Sequence, residues 1–275
     1  MNYALTSHWK NFRRPHKIAK HLLWSAAGAM ALGGILPWRF EDHWLRIERR
    51  DMPLPHLGSD FAGATIALIS DVHCSPVVIR KYLRQCVEAI NQLNPDFVAI
   101  TGDFITGRWR HARKVAEILS GLNPKIATLA CLGNHDYGIY HPTGRGYIDG
   151  LSEYITELLT RADIFVMRNE QRIFRRGNST LQFVGMEDYW TREYDPIEAF
   201  ELTYNDLPTI ALSHNPDSAL DVAGQGAHCI LAGHTHGGDW KRSALRQVLC
   251  AVTQSDFTAG HYELGDEKYL YVNRG

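Results

Sequence analysis

Residues 231–238 read LAGHTHGG. An apolar run ends in two histidines, His234 and His236, and two glycines follow. Side chains two apart at a strand end project to a common side, so the two imidazoles are placed to act together. Gly237 and Gly238 let the backbone turn away without a side chain crowding that spot. Four further apolar runs end in the same manner. SDVH carries Asp71 and His73; TGDF carries Asp103; LGNHD carries Asn134, His135 and Asp136; LSHNPD carries His214. One such cluster is what an ordinary strand-end turn looks like. Five of them, each after an apolar run, point to a shared site, because ligands of open α/β sheets bind beyond the carboxyl ends of the strands.

The runs alternate with helical patterns. ATIALIS (64–70), DFVAIT (96–101) and KIATLACL (125–132) read as buried strands, short and rich in β-branched residues. Between them, a proline-started stretch with Leu83, Val87 and Ile90 reads as an amphipathic helix, as do residues 112–122 and 151–162. IFVM, RIFRR and LQFVGM then follow closely, with GN as a hairpin signal between the last two. TIALS (209–213), HCILAG (228–233) and a closing hairpin around LGDEKYLYVN complete the set. A run of βα units followed by a strand-rich half fits two packed sheets with flanking helices.

The candidate donors are chemically coherent. Asp71, His73, Asp103, Asn134, His214, His234 and His236 supply oxygen and imidazole nitrogen. Such mixed sets suit Mn, Fe or Zn better than Ca or Mg, which favour oxygen alone. Seven donors exceed the needs of one catalytic ion and suit two that share a carboxylate. A pair of close ions activates water and stabilises both ends of an in-line phosphoryl displacement.

In this order the five clusters, DxH, GD, GNHD, H and GHxH, resemble the calcineurin-like metallophosphoesterase superfamily from about Ile66 onward. The resemblance implies a four-layer αββα sandwich of two mixed sheets flanked by helices. It implies that Asp71, His73 and His236 hold one ion, that Asn134, His214 and His234 hold the other, and that Asp103 bridges them. A hydroxide shared by the two ions is then the expected nucleophile, and His135 stands beside the scissile phosphate, stabilising charge or protonating the leaving oxygen. Asp136 is read either as the group that orients His135 or as a turn residue.

The stretches LRIERRDMPLPHL, FVMRNEQ, FVGMEDYW, LSHNPD and YVNRG are similar to those of bacterial, often membrane-associated members, some of which hydrolyse UDP-2,3-diacylglucosamine in lipid A synthesis. Members usually continue past YVNRG with a further strand or two; either that last strand is absent here or the sequence is a fragment, and the edge of the second sheet stays open between the two. The expected substrate is a nucleotide-linked lipid pyrophosphate. A general phosphodiesterase or phosphomonoesterase of envelope substrates is the alternative, followed by a nuclease or a metal-binding protein without catalysis. Arg108, Arg110, Tyr137 and Tyr140 are candidate substrate contacts. The first pair belongs to the basic stretch GRWRHARK (107–114), which also reads as a solvated face; the second belongs to the glycine- and tyrosine-rich loop 137–150, expected to overhang the site.

Bulk properties bound these readings. The 275 residues suffice for a large core, and 29 basic against 30 acidic residues argue against a nucleic-acid partner. Five cysteines without CxxC spacing give no disulfide framework. The first 20 residues carry Lys10, Arg13, Arg14, Lys17 and Lys20 and no acid. An uncharged stretch follows at 22–38, LLWSAAGAMALGGILPW, with Trp24 and Trp38 near its ends. Its length is at the lower limit for a membrane-spanning helix, and it is expected to be a hydrophobic anchor helix; a signal-peptide core and a soluble helix are the alternatives. The expected organisation is a leader and anchor over 1–45 and a catalytic domain over 46–275, held at the bacterial inner membrane with the cytoplasmic face favoured. No protein partner is expected.

Overall fold

The computed structural model describes residues 45–76, 78, 80–237 and 256–275. The expected anchor at 22–38 and Gly238 lie outside the described residues, and no described helix is long and apolar enough to cross a membrane. The chain divides into two units, Met1–Arg50 and Asp51–Gly275. The described part of the first is exposed, with an Arg46–Glu48 ion pair at 3.0 Å.

The second unit begins with βα alternation. Strands β1 (Ile66–Ile69), β2 (Phe97–Thr101), β3 (Ala127–Cys131) and β4 (Ile164–Val166) form one sheet in that order. Helices α1 (Arg80–Gln92), α2 (Ala112–Leu119) and α3 (Leu151–Thr160) connect them. Every pairing is parallel, as helical crossovers require. The expectation of two mixed sheets is therefore corrected for this one. The three helices bury stripes such as Leu83, Val87 and Ile90, and Leu151, Ile155 and Leu159, with the spacing of one helical face.

The second sheet is mixed. It contains β5 (Glu170–Arg176), β6 (Ser179–Gly185), β7 (Thr209–Leu212), β8 (Cys229–Ala232), β9 (Gly260–Gly265) and β10 (Lys268–Val272), in the order β5-β6-β7-β8-β10-β9. Its outer pairs, β5–β6 and β10–β9, are antiparallel, and its centre is parallel. Gly177 between β5 and β6 takes φ +55°, which the first position of a II′ hairpin turn demands. Two short helices, α4 (Pro196–Phe200) and α5 (Ala219–Gly224), connect the parallel strands; neither shows as a pattern in the sequence. Asp195 starts α4 by accepting from the amides of Ile197 and Glu198, both at 3.0 Å.

Strand alternation sorts the apolar side chains into three cores. Val98, Ile100 and Ala130 face α1–α3. Phe97, Ala99, Leu129 and Cys131 meet Phe183, Ile210, Leu212, Cys229 and Leu231 between the sheets. Val184, Ala211, Ile230 and Ala232 face α4 and α5. Phe97 is fully buried in the middle core, its ring 5.0 Å from Phe183 and 5.1 Å from Phe174. Adjacent parallel strands β1, β2 and β3 thus end side by side, as do β7 and β8. Thr101 at the end of β2 accepts from the His214 ring beyond β7, which ties the two sheets together at this edge.

Candidate metal centre

The five strand-end clusters converge. His73 Nε2 lies 3.1 Å from His236 Nε2, 3.8 Å from Asp71 Oδ1 and 3.4 Å from Asp103 Oδ2. His236 Nε2 is 3.4 Å from Asp71 Oδ1. On the other side of Asp103, His214 Nε2 approaches the same Oδ2 at 3.3 Å. His234 Nδ1 is 3.2 Å from His214 Nε2 and 3.0 Å from Asn134 Oδ1. One carboxylate therefore stands between two groups of donors, Asp71/His73/His236 and Asn134/His214/His234.

Four of the donors, His214, Asn134, Asp71 and Asp103, are aimed by a second bond. His214 Nδ1 donates to Thr101 O at 2.6 Å, which leaves Nε2 with its lone pair toward the cluster. Asn134 Nδ2 donates to Ile139 O at 2.7 Å, so its Oδ1 faces inward. Asp71 Oδ2 accepts from Ser70 Oγ at 2.5 Å and from His234 N at 3.0 Å. Asp103 Oδ1 accepts from His135 N at 3.0 Å. In each case the remaining atom is the one turned toward the cluster.

The backbone is bent to achieve this. Asp71, His73, Asp103, His234 and His236 all have positive φ, from +42° to +70°. Non-glycine residues adopt this region uncommonly, and its concentration at functional sites reflects strain held by the surrounding structure. Gly233 shows how tight the packing is: a Cβ there would overlap Ser70 Oγ and Asp71 Oδ2.

The donor set fits divalent cations. Burial pushes His73 down to about 4 and, aided by His214, pushes His234 down to about 3, so both rings are neutral lone-pair donors near pH 7. Burial alone would raise Asp103, but His214 and His135 outweigh it and hold the carboxyl well below its usual range. Asp71 Oδ1 is buried without a hydrogen-bond partner among the described residues, a costly state for a carboxylate oxygen unless a cation meets it. Three acid and histidine groups have ligand atoms close enough to share an ion: Asp71/His73/His236, His73/Asp103/His135 and Asp71/Asp103/His214.

His135 is half-buried beside the cluster, its ring 5.2 Å from that of His73. Asp136 does not orient it. Its carboxylate accepts from the amides of Phe104 (2.9 Å), Ile105 (3.3 Å) and Gly133 (3.0 Å), which makes it the bolt of the turn. Tyr137, expected to touch substrate, is 1% exposed, and its hydroxyl donates to Glu187; that expectation is corrected, because the ring belongs to the core. Tyr140 is 61% exposed. Arg108 is exposed, as is Arg110, whose Nε donates to His111 Nε2 at 3.0 Å. Sequence reasoning missed the aiming groups, Ser70 and the Thr101 and Ile139 carbonyls, and the Glu187 carboxylate that accepts from Tyr137. Only FVGMEDYW offered a signal, and it was a resemblance without a role.

Residues 64–238 match the model of the calcineurin-like phosphoesterase family. The chain is 27% identical over 293 residues to the UDP-2,3-diacylglucosamine pyrophosphatase LpxG of Chlamydia muridarum, covering 90% of this chain and 89% of that protein. It is 28% identical over 255 residues to the metallophosphoesterase YkuE of Bacillus subtilis, covering 91% and 85%. It is also 28% identical over 236 residues to the phosphodiesterase YaeI of Escherichia coli, covering 86% and 82%. The solved phosphopantetheinyl hydrolase PptH of Mycobacterium tuberculosis superposes with a TM-score of 0.48 at 13% identity, over 76% of this chain and 88% of that one. With five donor clusters brought together from the strand ends of both sheets and a family match across them, the chain belongs to the calcineurin-like phosphoesterase family and is a metal-dependent hydrolase with a dinuclear divalent metal centre.

Proposed function

We propose that this protein hydrolyses the pyrophosphate bond of a nucleotide-linked lipid, with UDP-2,3-diacylglucosamine as the leading substrate, on a four-layer αββα scaffold. The observation that carries the chemistry is Asp103 Oδ2 standing within 3.4 Å of His73 Nε2 and of His214 Nε2. On this reading two ions would be held on either side of Asp103, one by Asp71, His73 and His236 and the other by Asn134, His214 and His234, with Asp103 shared between them. The likeness to LpxG over 90% of the chain supports the substrate. The likeness to the phosphodiesterase YaeI supports a second reading, a general phosphodiesterase.

Two divalent ions supply an activated water at neutral pH and neutralise charge on the phosphoryl oxygens. The protein's own groups do the rest. Thr101 O and Ile139 O hold His214 and Asn134 in the required orientation. Asp103 Oδ1 accepts from His135 N, which places the His135 ring at the rim. From there the ring steadies charge on the departing oxygen or gives it a proton.

The organisation proposed with this activity is a leader and anchor over 1–45 and a catalytic domain over 46–275, at the inner membrane. Anchoring keeps the site near a bilayer-borne substrate. The test is a turnover panel with added Mn: UDP-2,3-diacylglucosamine, an aryl phosphodiester, an aryl monophosphate and single-stranded DNA. Preference for the first is expected. Preference for the aryl diester selects the second reading, and hydrolysis of DNA alone overturns both.

A further inference from the structure

The segment Glu187–Trp190, which leaves the end of β6, contains none of the five motif clusters, yet it reaches two of them. Glu187 is buried. Its amide donates to Asn169 Oδ1 at 3.0 Å, and its Oε1 accepts from Arg168 Nε at 2.7 Å. Its Oε2 accepts from the Tyr137 hydroxyl. Tyr137 closes the 3-10 turn Asn134–Tyr137, so this carboxylate grips the turn that presents Asn134. Three residues on, the Trp190 ring packs edge-on against His234, with centroids 4.7 Å apart and planes at 88°. Its backbone is fixed by Asp188 Oδ1, which accepts from Trp190 N at 2.9 Å. Asp188 O in turn accepts from Thr191 N at 2.9 Å and Thr191 Oγ1 at 2.7 Å.

The two clusters touched are Asn134 and His234, whose donor atoms lie 3.0 Å apart. Both belong to the same side of Asp103. We propose that Glu187 and Trp190 are positioning residues for one ion position alone, the one formed by Asn134, His214 and His234, and that they set its affinity independently of the Asp71/His73/His236 position. This rests on the dinuclear assignment above. The physical reason is that imidazole and amide ligands bind well only when their lone pairs are held on target by outer contacts, whose loss costs roughly 10- to 100-fold in metal affinity. Tyr137 through Glu187 fixes where the Asn134 amide stands. Trp190 limits rotation of the His234 ring.

The test is Mn binding to the full chain by calorimetry in two single-position backgrounds. In His236→Ala the remaining tight position is the one the segment serves; in His234→Ala it is the other. Adding Trp190→Ala or Glu187→Gln should weaken binding about 10- to 100-fold in the first background and leave the second unmoved. Equal weakening in both backgrounds, or none in either, overturns the inference. If Trp190→Ala does not fold, Tyr137→Phe, which deletes a single hydroxyl, gives the same readout in the same two backgrounds. A wild-type chain that binds fewer than two ions instead overturns the dinuclear assignment, so the two failures are distinguishable.

Discussion

At the scale of single residues, the site is made of ordinary ligand types, aspartate, histidine and asparagine, held in an uncommon backbone conformation. Aspartate, histidine and asparagine after apolar runs announce ligands by type. Nothing in SDVH, TGDF or GHTHGG announces that five of these residues take positive φ, because that conformation is imposed by contacts made after folding. For the same reason Tyr137 looked like a substrate contact beside GNHD, while its ring was bound for the interior. Gly233 is the position where sequence and strain meet. Gly233→Ala is expected to destabilise the fold by about 1–3 kcal/mol through overpacking and to lower Mn binding; urea unfolding and metal analysis measure both, and an unchanged variant would remove the packing argument. His135→Ala is expected to lower kcat by about 10²- to 10⁴-fold while both ions stay bound; full turnover would remove the role given to that ring. Burial raises Asp188 from the ordinary carboxylate range to about 7. A folded-state pKa above the unfolded value contributes stability that is complete below about pH 4 and lost as pH rises toward 7. The contribution of Asp188 to the metal-free protein's stability should therefore fall across that window, and Asp188→Asn should remove that component from the pH slope. Identical slopes in denaturant titrations of the two proteins would contradict this.

At the scale of elements, the long periodic segments were readable because their patterns are strong. The buried strands ending at Thr101 and Cys131, the helix stripe of Leu83, Val87 and Ile90, and the GN hairpin all follow from period and turn chemistry. Helices α4 and α5 were missed because five or six residues are too few to display a period. Strand order was also hidden: β10, the hairpin partner of β9, pairs on its other side with β8, Tyr269 opposite Cys229, a pairing far apart in the chain that local patterns do not encode. The middle core depends on Phe97 more than the sequence run DFVAIT discloses, since Phe183 and Phe174 reach it from the other sheet. Phe97→Ala is expected to cost about 3–5 kcal/mol, read from the denaturation midpoint. A loss below about 1 kcal/mol would mean that the cavity collapses and that the sheets are less tightly joined than this packing implies.

At the scale of the whole molecule, two sheets meet at one edge, and each supplies part of the site. The first sheet brings Asp71, His73, Asp103 and Asn134; the second brings His214, His234 and His236. Neither half holds a complete donor set, so the activity belongs to the packed pair of sheets. The central claim is that this joint site binds two divalent ions and that hydrolysis depends on them. The direct measurement is phosphodiester turnover together with metal content on the purified chain, before chelation, after it, and after Mn is restored. The account predicts about two ions per chain, loss of turnover on chelation and recovery with Mn. Turnover that persists in chelated, metal-free protein would contradict it.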